Sequence, residues 1–164
     1  MSESARHGDG LPREAKRAID ELRPHYPTTE ALLLPALHIA QRHWGGWLPD
    51  EAISAVAREL DLAESKVYGV VTFYDLFHQH PVGRHRIRVC TNLSCTLRGG
   101  EEILHAVRRH LKVDENEVTA DGRCSFVHFE CLGACEQAPM MMIGDRYHGD
   151  LTPRRAVEIL EGLD

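Results

Sequence analysis

The sequence predicts an α+β protein, in which an N-terminal helical bundle is followed by a smaller α/β domain. Apolar residues recur at helical spacing through the first half, whereas apolar and polar residues alternate at the start of the second half. Pro81 and Gly83 interrupt both patterns between these regions, which indicates a domain boundary there. The predicted divisions are a flexible tail (1–10), a helical domain (11–80) and an α/β domain (81–164).

Composition and charge exclude several classes of function. Of the 164 residues, 43% are hydrophobic and 27% are charged, which is a globular mixture. The longest apolar run, ALLLPAL, is far shorter than the roughly 20 residues of a membrane helix. The polar N-terminus shows no signal peptide, so we expect a cytoplasmic protein. The net charge of −6 disfavours binding to nucleic acid.

Four helices are predicted in the first half from the spacing of apolar residues. Thr28 or Thr29 is suited to capping the second helix, and Pro49 and Asp50 are suited to opening the third. Pro35 lies inside the second helical pattern, and the sequence leaves open whether that helix bends there or starts later. The four segments are LPREAKRAIDEL, TTEALLLPALHIAQRHW, LPDEAISAVAREL and AESKVYGVVTFYDLFHQ.

The second half begins with a predicted strand at residues 85–89. Alternation places Ile87 and Val89 on one face of the sheet, and Arg86 and Arg88 on the other. The order of elements is β-α-β-β-α, which is that of a thioredoxin-like fold, although element order alone discriminates weakly between folds. The later elements are a helix in GGEEILHAVRRHL, strands in RCSFVHF and MMMI, a hairpin tip at GD and a helix in LTPRRAVEILEGL.

Four cysteines form two tight pairs, CTNLSC and CLGAC, and each pair follows a predicted strand. The four cysteines have three alternative roles: they form two disulfides, bind a structural zinc ion or ligate an iron–sulfur cluster. A reducing compartment disfavours disulfides, and a thioredoxin-type dithiol has two residues between its cysteines. Structural zinc also commonly uses two-residue gaps, although a gap of four is tolerated. The gaps here are four and three residues.

A 2Fe-2S cluster fits this cysteine pattern best, because each of its two irons takes two thiolates. Four thiolates, two sulfides and two ferric ions leave a charge of about −2, so nearby backbone N–H groups must compensate. Gly133 and Ala134 lie between the second pair of cysteines and are small enough to let their N–H groups approach sulfur. We therefore favour a cluster over zinc and over disulfides.

Several segments, taken with the cysteine spacing, resemble one protein family. GWLPDEAISAVARELDL, VYGVVTFYDLF and CLGACEQAPMM are similar to the thioredoxin-like 2Fe-2S subunit of NADH:quinone oxidoreductase (respiratory complex I), and the similarity runs over residues 11–163. The resemblance implies a thioredoxin-like C-terminal half and a helical N-terminal half that contacts an FMN flavoprotein which binds NADH. The cluster ligands that it implies are Cys90, Cys95, Cys131 and Cys135.

Two further features have simpler interpretations. Cys124 lies in a predicted strand, on the same face as Phe126 and His128, and we interpret it as a small buried residue rather than a fifth ligand. The segment AISAVARELDLAESKVYGVV is similar in pattern to a DNA-binding helix-turn-helix. Residues 47–73 nevertheless carry five acids against two bases, so two packed helices are the better interpretation.

The expected function is that of a one-electron carrier. The chain has no G-x-G-x-x-G turn after a strand, so the hydride of NADH must be handled by a partner. By resemblance, FMN and NADH are bound by that partner, which belongs to a complex on the cytoplasmic face of a bacterial inner membrane. Related subunits serve NAD-linked formate dehydrogenases and NAD-reducing or electron-bifurcating hydrogenases. A structural zinc adaptor is the alternative of another class.

Overall fold

The computed structural model describes residues 10–164, so nearly all of the predicted tail lies outside the described residues. The chain divides into two compact units, of which the first ends at Pro81 and the second is Val82–Asp164. The first unit is helical and the second contains a four-stranded sheet with helices. The predicted α+β class is therefore confirmed.

Within residues 10–81, the first unit contains four α-helices and one short 3-10 turn at Arg23–His25. Their packed faces consist of small and branched apolar residues, among them Ala15, Ile19, Leu37 and Val56, which are completely buried. Burial of these residues drives the assembly of the helices, because helices this short are only marginally stable alone. The helices are α1 (Arg13–Leu22), α2 (Thr29–His43), α3 (Asp50–Leu60) and α4 (Glu64–Phe73).

Helix α2 resolves the two questions that its sequence left open. The Thr28 hydroxyl accepts a hydrogen bond from the Ala31 backbone N–H at 3.2 Å, so Thr28 is the N-cap. Pro35 lies within one continuous helix. Pro49 precedes α3 and Asp50 is its first residue, as expected.

Helix α4 is shorter than the sequence pattern predicted. It ends at Phe73, and Tyr74 takes up an extended backbone conformation. The segment that follows is held by the side chain of Gln41, which donates to the Leu76 carbonyl and accepts from the His78 N–H, each at 2.9 Å. A side chain distant in sequence therefore replaces the hydrogen bonds that a longer helix would make.

The second unit is built on a sheet with the strand order β2-β1-β3-β4. β1 pairs in parallel with β2 and antiparallel with β3, so it lies in the interior of the sheet. The strands are β1 (His85–Cys90), β2 (Cys124–Phe129), β3 (Met141–Ile143) and β4 (Arg146–His148). The predicted hairpin tip lies between β3 and β4.

One face of this sheet is covered by two helices, α6 (Gly100–Leu111) and α7 (Pro153–Glu161). Ile87 and Val89 are completely buried in the core between sheet and helices, whereas Arg86 and Arg88 are half-buried. The predicted alternation along β1 is therefore confirmed. A short helix, α5 (Leu93–Leu97), was not predicted and lies between β1 and α6.

Cys124 lies in the core of the second unit, as predicted. His128 does not share this burial, because it is exposed at the end of β2 and pairs with Glu115, with Nδ1 2.9 Å from a carboxylate oxygen. Within residues 10–164, no helix is both long enough and apolar enough to cross a membrane.

The start of the second unit depends on close backbone packing at Gly83. A Cβ atom there would lie 2.3 Å from the Cys124 carbonyl carbon and 2.4 Å from the Ser125 nitrogen. Gly83 N–H also donates to the buried Ser125 hydroxyl at 3.0 Å. Any side chain at position 83 must therefore displace the first residues of β2.

We expect Gly83→Ala to destabilise the second unit by about 2 kcal/mol, as overpacking does. Gly69→Ala is a matched control, because a Cβ atom at this position in α4 meets nothing within 4 Å. Alanine should there stabilise the helix by about 0.5–1 kcal/mol. Thermal unfolding followed by circular dichroism, with hydrogen exchange of the β2 amides, measures both effects. An unchanged melting temperature and unchanged β2 exchange in Gly83→Ala would contradict this packing.

Candidate metal centre

Cys90 is the last residue of β1 and is fixed by hydrogen bonds on both sides of the strand. Its N–H donates to the Met140 carbonyl at 3.1 Å, and the N–H of Thr91 donates to the Phe129 carbonyl at 3.0 Å. Because β1 is an interior strand, Cys90 is held by both of its neighbours in the sheet. Its side chain is buried.

Cys95 lies on α5, where the sequence predicted only a loop. Asn92 precedes this helix with an extended backbone, and Asn before a helical turn was the signal available in the sequence. Cys95 is only 1% exposed. Gly100 packs directly beneath it, since a Cβ atom there would lie 2.9 Å from the carbonyl carbon and oxygen of Cys95.

The second pair of cysteines lies in the loop that follows β2, and both are exposed. Gly133 has a φ of +73°, a left-handed conformation that favours glycine. This conformation allows its N–H to donate to the Cys131 sulfur at 3.4 Å, as predicted. The loop is held from β4, because the Tyr147 hydroxyl donates to the Leu132 carbonyl at 3.0 Å.

Cys95 interacts with two of the other predicted ligands, Cys90 and Cys135. The pKa of the Cys95 thiol is raised to about 11. The largest cause is burial, and the second is a hydrogen bond with Cys90. A hydrogen bond to the Met140 backbone opposes this rise, whereas the charges of Cys90 and Cys135 add to it. The structure therefore brings Cys90 and Cys135 within electrostatic reach of Cys95. The sulfur of Cys131 instead accepts its hydrogen bond from Gly133, within the same loop.

An apolar shell surrounds the buried thiols. Cys90 and Cys95 pack in one cluster with Leu132, Ala138 and Met140, and this cluster is separate from the main core of the second unit. Cys124 belongs to that main core, so the structure does not bring it together with the predicted ligands. Burial raises the pKa of the Cys124 thiol as well. The Ala138–Pro139 peptide bond beside the buried thiols is cis.

The donor set is suited to soft metal ions, because thiolates select zinc or iron–sulfur clusters. Among residues 10–164, no three His, Cys, Asp or Glu side chains form a group that could hold a single metal ion. A structural zinc ion takes four ligands at one centre, whereas each iron of a 2Fe-2S cluster takes only two protein thiolates. The contact between Cys90 and Cys95 supplies one such pair.

Sequence comparisons identify relatives over most of the chain. The profile of the thioredoxin-like [2Fe-2S] ferredoxin family matches residues 19–164. The E subunit of the NADH-quinone oxidoreductase of Rickettsia bellii (strain RML369-C) is 44% identical over 131 residues, which are 80% of this chain and 78% of the relative. NADP-reducing hydrogenase subunit HndA of Solidesulfovibrio fructosivorans is 36% identical over 150 residues, which are 92% of this chain and 87% of the relative.

A solved structure shares the fold. The NAD+-reducing [NiFe]-hydrogenase in its H2-reduced state matches with a TM-score of 0.68 and 24% sequence identity. The match covers 79% of this chain but only 21% of the hydrogenase chain, so this chain spans about a fifth of that protein. At this identity the likeness supports the fold alone.

The burial of the thiols predicts an order of chemical reactivity. In the metal-free chain at about pH 8, iodoacetamide should modify the exposed Cys131 and Cys135 before Cys90, Cys95 and Cys124. The pKa of Cys95 is raised from 9.0 to about 11, so its reactive thiolate should be about 100-fold scarcer at that pH. Its alkylation rate should therefore keep rising as the pH approaches about 11. Peptide mass spectrometry measures each rate. Equal alkylation rates for Cys95 and Cys131 would contradict the burial of Cys95.

Proposed function

The chain belongs to the thioredoxin-like [2Fe-2S] ferredoxin family, and we propose that it is the one-electron carrier subunit of an NADH dehydrogenase module. Its relatives include subunits named for NADH-quinone oxidoreductase, a multi-subunit oxidoreductase. In this proposal Cys90, Cys95, Cys131 and Cys135 hold a single 2Fe-2S cluster. When bound, such a cluster takes up and returns one electron at a time.

The observation that carries the proposal is the packing of the two buried thiols, Cys90 and Cys95, in one apolar cluster. The charge of Cys135 acts on Cys95 as well. Desolvation makes the thiolate of Cys95 costly, so this position favours a thiolate only when a cation is bound to it. The Met140 backbone and the Gly133 N–H offer hydrogen bonds to the sulfurs of Cys95 and Cys131. The Met140 contact favours the charged form of the Cys95 sulfur, which metal coordination requires.

The residues around the thiols also limit the access of water. Leu132, Ala138 and Met140 are buried on the inner side of the site. The exposed loop that carries Cys131 and Cys135 forms the outer side. One side of the proposed cluster is therefore in an apolar environment, and the other side is accessible to a redox partner.

The partner we propose is a flavoprotein that binds NADH and FMN. A centre that carries one electron cannot accept a hydride, which brings two electrons with one proton, so a flavin must separate the electrons. The helical unit supports a docking role, because Tyr68, Phe73, Tyr74 and Leu76 are exposed around the end of α4, with Phe73 77% exposed. Large exposed apolar side chains that lie close together are typical of interaction sites.

We place this complex at the cytoplasmic face of a bacterial inner membrane, with this chain as a peripheral part. The relatives that support a membrane-associated host are the subunits named for quinone reduction. An equivalent subunit of an NAD-linked formate dehydrogenase or an NAD-reducing or electron-bifurcating hydrogenase is the second candidate. The identity of 36% with HndA supports that candidate.

Replacement of each proposed ligand tests the site. We expect Cys90→Ser, Cys95→Ser, Cys131→Ser and Cys135→Ser each to weaken cluster binding more than about tenfold, because a lost ligand costs at least as much as a lost outer-shell contact. The readouts are iron and sulfide content, visible absorption and the EPR signal of the reduced protein after anaerobic purification. Cys124→Ser is the control and should retain the cluster.

The same measurements separate the alternatives. A coloured wild-type chain with two irons and two sulfides supports the proposal, whereas a colourless chain with one zinc ion would identify a structural zinc adaptor. A normal cluster in Cys131→Ser would contradict the assignment of that ligand.

Affinity purification of the full chain from its natural host tests the partner. We expect an FMN-containing protein that oxidises NADH to be recovered with it, together with either quinone-reducing subunits or a hydrogenase or formate dehydrogenase subunit. Phe73→Ser should lower the recovery of the flavoprotein, because it removes an exposed aromatic side chain. Leu93→Ser, which removes an exposed apolar residue from the other unit, is the control. Equal recovery with Phe73→Ser and with wild type would contradict docking through the end of α4.

A further inference from the structure

Two arginines follow the same face of β1 as the first predicted ligand. Arg86, Arg88 and Cys90 occupy alternate positions of the strand, so their side chains leave the same face of the sheet. That face lies opposite the core residues Ile87 and Val89. Both arginines are half-buried, and the Nε atom of each is buried without a hydrogen-bond partner among the described residues. Their charges are therefore only partly hydrated.

Arg88 extends toward the side chain that neighbours Cys90. Its guanidinium carbon lies 5.8 Å from the centre of the Phe129 ring, within the range of a cation–π contact. Phe129 is the partner of Cys90 in the register of β1 and β2. It also packs against the cluster of residues that contains Cys90 and Cys95. Phe129 therefore contacts both the Arg88 guanidinium and the residues around the buried thiols. The Arg88 Nη2 also donates to the Gly144 carbonyl at 3.5 Å.

The other charges near β1 are placed differently. Arg86 lies two residues further from Cys90, and its Nη2 donates to the Asn116 side chain at 3.3 Å. The Asp145 carboxylate interacts with Arg88, but Asp145 is exposed and its charge is screened by solvent. Of the two arginines on β1, Arg88 is therefore the one nearer to Cys90 along the strand.

We propose that Arg88 raises the reduction potential of the cluster held by Cys90, Cys95, Cys131 and Cys135. This inference rests on the proposed function. Reduction adds one electron to a centre that already carries a charge of about −2. A fixed positive charge in a partly dehydrated position stabilises the reduced form more than the oxidised form. Arg88 keeps its proton throughout, so only one electron is transferred.

The test is a potentiometric titration of the full chain with dithionite as the electron donor, followed by EPR. We expect Arg88→Met to shift the midpoint potential to a more negative value. A unit charge about 10 Å away changes such an equilibrium about tenfold at an effective dielectric constant of about 20. For one electron, this factor corresponds to about 59 mV.

Three variants serve as controls for the charge. Arg88→Lys keeps the positive charge and should keep most of the wild-type potential. Arg86→Met removes a more distant charge and should give a smaller shift. Arg154→Met removes a charge from a side chain that is 90% exposed on α7 and should give none. Arg88→Gln is a second neutral variant, which serves if Arg88→Met folds poorly.

The outcomes separate this inference from the proposed function. Wild-type chain without iron and sulfide would overturn the proposed function. A loaded neutral variant at position 88 with an unchanged potential would overturn only the role of Arg88. A shift in Arg88→Lys as large as that in Arg88→Met would also overturn it, because the effect would then depend on packing and not on charge.

Discussion

The geometry of the site depends on the backbone hydrogen bonds that fix the carboxyl end of β1. Cys90 and Thr91 are bonded to opposite neighbours, through the carbonyls of Met140 and Phe129, so the first thiol cannot move along the strand. Gly100 lets α6 start directly against the Cys95 backbone, which fixes the second thiol relative to the first. The two buried sulfurs are thus positioned by main-chain contacts, which are less mobile than side-chain contacts at a surface.

Burying thiols has an electrostatic cost that the rest of the site is arranged to offset. Desolvation raises the pKa of Cys95, because a thiolate is less well solvated in an apolar environment than in water. A hydrogen bond from the Met140 backbone acts in the opposite direction and favours the thiolate of Cys95. The same low polarity makes a half-buried cation such as Arg88 effective over a longer distance than it would be in water.

The two units of the chain present different chemistry. The helical unit buries small and branched residues at its centre and leaves large aromatic residues exposed near the end of α4. The sheet unit buries one face beneath α6 and α7 and places the thiols at the carboxyl ends of β1 and β2. The proposed electron carrier needs both features, namely an interaction surface and a thiol site with one accessible side.

The sequence by itself determined the fold class, the alternation along β1, a threonine cap for α2 and the burial of Cys124, because each depends on spacing or on a local hydrogen bond. The four paired cysteines were also identified from spacing, and their role as ligands stays a prediction. Tertiary structure alone decided where α4 ends, since Gln41 supplies the bonds from 35 residues away. It alone showed that Cys95 is buried on a short helix while Cys131 is exposed, and that Arg88 approaches Phe129. These features depend on contacts between distant segments, which a local pattern of residues does not encode.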